Sequence, residues 1–143
     1  MSVPLLEAIA DGIYKYEGNG PTQRAYRNRN PGNLRPTAPD QPQDAAGYRI
    51  FASFREGYLA LLHDLASKMA GLNKSGLNMD SSLLSLFMVY APRSDRNDPE
   101  RYAKFVAAWL RQVYGIASIT EMSTFRELYN LLLEKAPDVV SAA

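Results

Sequence analysis

Cysteine is absent from the 143 residues, and histidine and tryptophan occur once each. Without thiols the chain has no disulfide framework, no zinc site of the cysteine type and no thiol nucleophile. The one histidine, His63, stands beside Asp64 on a helical stretch just off the apolar stripe. With no serine motif to complete a triad, it reads as a solvated side chain. A surplus of one charge is missing too: 16 Lys and Arg face 15 Asp and Glu. The total therefore offers no electrostatic footprint for nucleic acid, and none is expected as a partner. No apolar run approaches the roughly 20 residues of a membrane span, so no membrane insertion is expected. The first ten residues lack a basic segment and carry Glu7, unlike a secretory signal.

A chain of 143 residues fits one domain, and a domain of this size buries about 68–70% of its unfolded surface, so a core forms without metals or cross-links. The expected fold is mainly α with a small β-hairpin, in three parts: a helix over 4–17, a polar loop and hairpin over 18–54, and a helical bundle over 55–136. Pro4 suits a first helical position, and Leu5, Ile9, Ile13 and Tyr16 recur at helical spacing until Gly18, Asn19, Gly20 and Pro21 end the pattern. The loop holds most of the prolines and glycines, with short β elements expected near Leu34 and at 48–51 and a hairpin connection over 41–47. Such a long connection in so small a domain is usually functional.

From Arg55 the helical pattern returns, with Tyr58, Leu62, Leu65 and Met69 as the inward stripe and Gly71 as its end. Asp80-Ser81-Ser82 caps a helix carrying Leu83, Leu86, Phe87 and Tyr90, which Pro92 stops. Asp98-Pro99 starts another, with Tyr102, Phe105, Val106, Trp109 and Val113 inward. Thr124 and Glu127 form a capping box before Phe125, Leu128, Tyr129 and Leu132. The tail 139–143 reads as frayed.

Glu17 is the sharpest chemical candidate. It falls at the negative end of a helix dipole, where an ionised carboxylate is mildly disfavoured. Burial against Tyr14 and Tyr16 would raise it further, as a proton donor to a glycosidic oxygen requires. The alternative is a solvated helix-terminal glutamate. Beyond it lie Asn28, Asn30 and Asn33 with Arg24, Arg27, Arg29 and Arg35, amides and guanidiniums that match sugar hydroxyls, N-acetyl groups and carboxylates. Asn30-Pro31-Gly32-Asn33 is equally a well-made turn. Asp95, Asn97 and Asp98 have part of a calcium-loop spacing but lack its glycine and final glutamate. Asp98 is read as the helix N-cap, and neither metal nor cofactor is expected. Tyr102, Phe105 and Trp109 are either core or a sugar-stacking platform.

Several of these pieces occur in one order: Glu17-Gly18 after an Ala-Ile-Ala helix, Asn30-Pro31-Gly32-Asn33-Leu34-Arg35, the run 50–54 with Glu56-Gly57, and Tyr90-Ala91-Pro92 followed by 94–99 and Tyr102. Together they resemble phage-associated lysozyme-like domains, which are similar to soluble lytic transglycosylases and goose-type lysozymes. The resemblance covers roughly 5–115. It implies a lysozyme-like fold, Glu17 as the catalytic acid, Tyr90 as a cleft tyrosine, and Asn30, Asn33, Arg35, Asn97 and Tyr102 as substrate contacts.

The implied activity is peptidoglycan cleavage by a lytic transglycosylase, or by a muramidase of the same fold; a virion module that binds the wall without cutting it is the non-catalytic alternative. The implied partners are peptidoglycan strands and virion or secretion components. The chain would act as a monomer on the wall after delivery by virion, holin or another secretion route. The Glu-Ser and Gly-Leu-Met-Gln signatures of transglycosylases are absent, and Glu17-Gly18 and the Asn-Pro-Gly-Asn turn stand instead. A single-acid lyase needs only Glu17. A hydrolase wants a second carboxylate, about 5–5.5 Å away for retention or 6.5–9.5 Å for inversion, with Glu56 and Asp95 as candidates.

Overall fold

Among the described residues of the computed structural model six α-helices follow one another: α1 (Val3–Glu17), α2 (Arg24–Arg27), α3 (Phe54–Met69), α4 (Leu83–Tyr90), α5 (Pro99–Tyr114) and α6 (Phe125–Lys135), with a 3₁₀ turn at Arg93–Asp95. The structure describes residues 3–18, 20 and 23–135. Asn19, Pro21 and the tail 139–143, used above to place a helix end and a frayed terminus, lie outside them.

The chain is mainly helical because each long segment has an apolar stripe, and α3, α4, α5 and α6 each open on a side-chain cap. Ser53 Oγ accepts from Glu56 N–H at 3.1 Å, Ser82 Oγ from Ser85 N–H at 3.1 Å, and Asp98 Oδ1 from Arg101 N–H at 3.1 Å. The capping box before α6 is reciprocal: Thr124 Oγ1 accepts from Glu127 N–H, and Glu127 Oε1 accepts from Thr124 N–H at 2.8 Å. Each such cap satisfies a backbone donor that the first helical turn leaves unpaired.

α1 is the central rod. Leu5, Ala8, Ile9, Ala10 and Ile13 are fully buried, and α2, α3, α5 and α6 all pack on it. Gly12 lets α5 come close, since a Cβ there would stand 3.0 Å from the Trp109 ring and 3.1 Å from Val106. α4 packs on α5, so α5 is covered from two sides. The segments entering α4 and α6 are tied by an antiparallel bridge between Ser82 and Thr124.

Two expectations need correction. The hairpin does not form: the described residues contain no strand, and 34–51 holds only an isolated antiparallel bridge between Gln43 and Arg49. Pro36, Pro39 and Pro42 remove the backbone donors that a ladder would need. The connection folds instead through single bonds, Arg49 N–H to Leu34 O and Ile50 N–H to Pro42 O, both at 2.9 Å. The second correction concerns stripes. α3 buries Gly57, Leu61, Leu65 and Met69, while Tyr58 and Leu62 are only partly covered. In α5, Phe105 and Val113 are 38% and 49% exposed, and Ala103, Ala107 and Leu110 take the interior with Tyr102 and Val106. No described helix is long and apolar enough to cross a membrane.

Candidate functional site

Glu17 is the last residue of α1, and Gly18 ends the helix with a left-handed φ of 97° while its N–H still bonds Tyr14 O at 2.9 Å. The carboxyl group points at two neutral donors. Asn33 Nδ2 donates to Oε1 at 2.8 Å, and the Tyr102 hydroxyl donates to Oε2 at 2.6 Å. Burial pushes the Glu17 pKa up, against the lowering effect of those two hydrogen bonds and of Arg24. Desolvation wins because both close partners are uncharged.

Each donor is itself fixed. The Tyr102 ring is stacked between Tyr16, at 4.0 Å between centroids, and Phe87, at 4.3 Å, with Tyr90 edge-on at 6.2 Å. Burial holds the hydroxyls of Tyr90 and Tyr102 well above the usual phenol range, so both remain donors. Asn33 sits at φ 49°, a left-handed conformation that asparagine tolerates. The turn beneath it is pinned from three directions. The Tyr90 hydroxyl donates to Gly32 O. A Cβ on Gly32 would meet Leu61 at 2.8 Å as well as that hydroxyl, and a Cβ on Gly57 would collide with Arg29 O. Close approach of α3 therefore requires glycine at both positions. Asn30 holds the turn from inside: its Nδ2 donates to Leu34 O at 2.9 Å and Arg49 O at 2.8 Å, and its Oδ1 accepts from Leu34 N–H at 2.9 Å.

Glu17 lines a cleft of about 590 Å³. Of the residues expected to contact substrate, Asn33, Arg35, Tyr90 and Asn97 line the same cleft. Asn30 does not: it is 0% exposed and its amide is fully engaged with backbone. Its place is structural, as keeper of the turn. Tyr102 is 2% exposed and reaches the cleft only through Glu17, so it is a positioning residue rather than a sugar contact.

The rest of the polar loop divides similarly. Arg24 lines the cleft, whereas Asn28 is buried against Asp44 at 2.9 Å and Arg29 turns to Phe51 O at 2.7 Å. Of the two suggested partner acids, Asp95 lies on the cleft wall and Glu56 does not. His63, expected to be solvated, is exposed, and it lies on that wall.

The wall also carries residues that the motif reading passed over: Tyr48, Arg49, Asp64 and Lys68. Lys68 and Asp64 form an ion pair at 2.6 Å. Their i, i+4 spacing on α3 was readable as a pair but not as a cleft wall. Arg49 carried no signal, because an arginine in a short extended run is unremarkable until the turn at 30–34 closes on it. Comparison with protein-family models, curated proteins and solved structures returned no match.

Proposed function

We propose that this chain is a peptidoglycan-cleaving enzyme of lysozyme-like fold, a lytic transglycosylase acting on the β-1,4 bond between N-acetylmuramic acid and N-acetylglucosamine. The observation that carries the reading is a carboxyl group, raised in pKa by burial and held by two neutral donors, in a cleft lined with amides and guanidiniums. A general acid must keep its proton near neutral pH and then be stable without it. Burial serves the first need and the bonds from Asn33 and Tyr102 serve the second.

In the proposed step Glu17 gives its proton to the leaving O4 as the glycosidic bond breaks. The resulting carboxylate takes the proton of the muramoyl C6 hydroxyl, whose oxygen closes on C1 to give the 1,6-anhydro product. One residue thus acts as acid and then as base. Tyr90 is on the cleft lining and its hydroxyl is committed to Gly32 O, which supports a role in holding the turn that carries Asn33.

A muramidase is the second reading, favoured by Asp95 on the same cleft wall, where it would serve as the further carboxylate that water activation requires. Incubation with purified peptidoglycan, followed by mass analysis of the released muropeptides, tests both. Products lighter by one water than the hydrolytic ones are expected, with Glu17→Gln lowering the rate by about 10²–10⁴-fold. Free reducing ends would instead identify the hydrolase. Release of nothing, with the wall still bound, would leave a non-catalytic binding module, and unchanged lysis by Glu17→Gln would overturn the assignment of the acid.

A further inference from the structure

The cations of the cleft are not equivalent. Arg24 lies 3.4 Å from Asp44, and Lys68 lies 2.6 Å from Asp64. Arg35 and Arg49 have no carboxylate partner among the described residues. They are neighbours through the backbone, because Arg49 N–H bonds Leu34 O at 2.9 Å and so brings residue 49 beside residues 34 and 35.

Each guanidinium is laid on an aromatic face. Arg35 stands 4.3 Å from the centroid of Tyr48, whose ring also carries Arg24 at 4.3 Å, and Arg49 stands 4.3 Å from Phe51. Stacking takes up the face of a guanidinium and leaves its N–H edge to bond elsewhere. Arg35 uses part of that edge on two long bonds, 3.3 Å and 3.4 Å, to the carbonyls of Ala46 and Gly47. Arg49 Nε is buried without any hydrogen-bond partner. A buried, charged donor left unpaired is costly unless a ligand completes it.

We infer that Arg35 and Arg49 form an oxyanion-binding end of the cleft that takes a carboxylate carried by the glycan, so that the substrate is an acidic glycan rather than a neutral one. This inference rests on the proposed function for the glycan and adds the chemistry that selects it. Among wall sugars the muramoyl unit bears a lactyl group that is a carboxylate when its peptide is removed, and stem peptides carry further carboxylates. Chitin oligomers have the same backbone and acetamido groups but no acid. Two rigid forks are suited to planar, bidentate recognition of such a group.

Binding to the Glu17→Gln protein, which would not turn substrate over, is measured by calorimetry with two tetrasaccharides. One is chitotetraose; the other is the peptide-free alternating glycan with lactyl carboxylates. The acidic tetrasaccharide is expected to bind at least about tenfold more tightly, as one charge-assisted hydrogen-bonded contact provides. Adding Arg35→Gln and Arg49→Gln should bring the two tetrasaccharides to equal affinity. Arg35→Gln alone, at an exposed position, serves should the Arg49 substitution unfold the protein, and should remove part of the preference. Equal affinities for the two sugars, or a preference that survives loss of the arginines, overturns the inference and leaves the glycan reading standing. Binding of neither sugar overturns both.

Discussion

Removing the Tyr102 hydroxyl isolates the environment of Glu17 from the packing around it. In Tyr102→Phe the ring remains between Tyr16 and Phe87, at 4.0 Å and 4.3 Å, so no large cavity opens in the core. What disappears is the 2.6 Å hydrogen bond to Glu17 Oε2. That bond favours the ionised carboxyl and is among the effects holding its pKa down against burial. A hydrogen bond to a charged group is worth about 1.5–3 kcal/mol and a neutral one about 0.5–1.5 kcal/mol. The difference, about 1–2 kcal/mol in favour of the ionised form, should appear as a further rise in the folded-state pKa.

The sign for stability follows from linkage. Burial has already raised the folded pKa of Glu17 above its ordinary 4.5. Its contribution to stability is therefore fully present below that value and declines as pH rises through the folded pKa. The variant raises that pKa further and so declines more. Urea denaturation at pH 4 should show the variant less stable by about 0.5–1.5 kcal/mol, and at pH 8 by about 1.5–3 kcal/mol. The basic limb of the pH profile of the proposed lytic activity should move upward with it. A stability gap that is the same at both pH values would refute the view that Tyr102 acts on Glu17 through charge.

Asn30→Ala leaves the Arg49 carbonyl and the Leu34 N–H without their partner, while Leu34 O keeps the Arg49 N–H, so it should cost about 2–4 kcal/mol in denaturation and weaken the proposed glycan binding only by loosening the turn. Asn33→Ala keeps the turn bond from its own N–H to Asn30 O, and should weaken glycan binding more than it lowers the thermal midpoint. Gly57→Ala drives a methyl group into Arg29 O and should destabilise by about 1–3 kcal/mol, whereas Ala60→Gly on the same helix should cost only the roughly 1 kcal/mol of helix propensity. An Asn30→Ala protein as stable as wild type, or a Gly57→Ala protein costing no more than Ala60→Gly, would show that the turn is not held in the way described.

Helices were legible because their signals are local. Ser82, Asp98 and the Thr124–Glu127 box each cap a helix where the residue pattern places it. Stripe centres were less legible. In α5 the eye follows Phe105 and Val113, yet the fully buried positions include Ala103 and Ala107. Small residues carry little hydrophobic signal but mark where one helix approaches another closely. The hairpin failed for a related reason: the alternation near Tyr48 is local, while a ladder needs donors on both sides, and the prolines at 36, 39 and 42 withhold them. Glu17 was legible as a helix-terminal acid beside an amide-rich loop. Its partner Tyr102 was not legible as such, because its spacing is that of a core residue and it is one.

The two donors reach Glu17 across very different sequence separations, 16 residues for Asn33 and 85 for Tyr102. The first pairing needs α1 and the turn in place, and the second needs α1 and α5. An acid kept only for stability in such a position would be better served by an ion pair, since a buried carboxylate without a charged partner is costly. Glu17 has no ion pair among the described residues, and Arg24, the cation that acts on it, is engaged by Asp44 at 3.4 Å. Neutral donors, held by an aromatic stack and a glycine-tight turn, leave the proton on the acid more readily than a salt bridge would. They also stand ready to receive the carboxylate after the proton has gone. Stability alone gives no reason for that combination, whereas the reversible proton transfer proposed for Glu17 would.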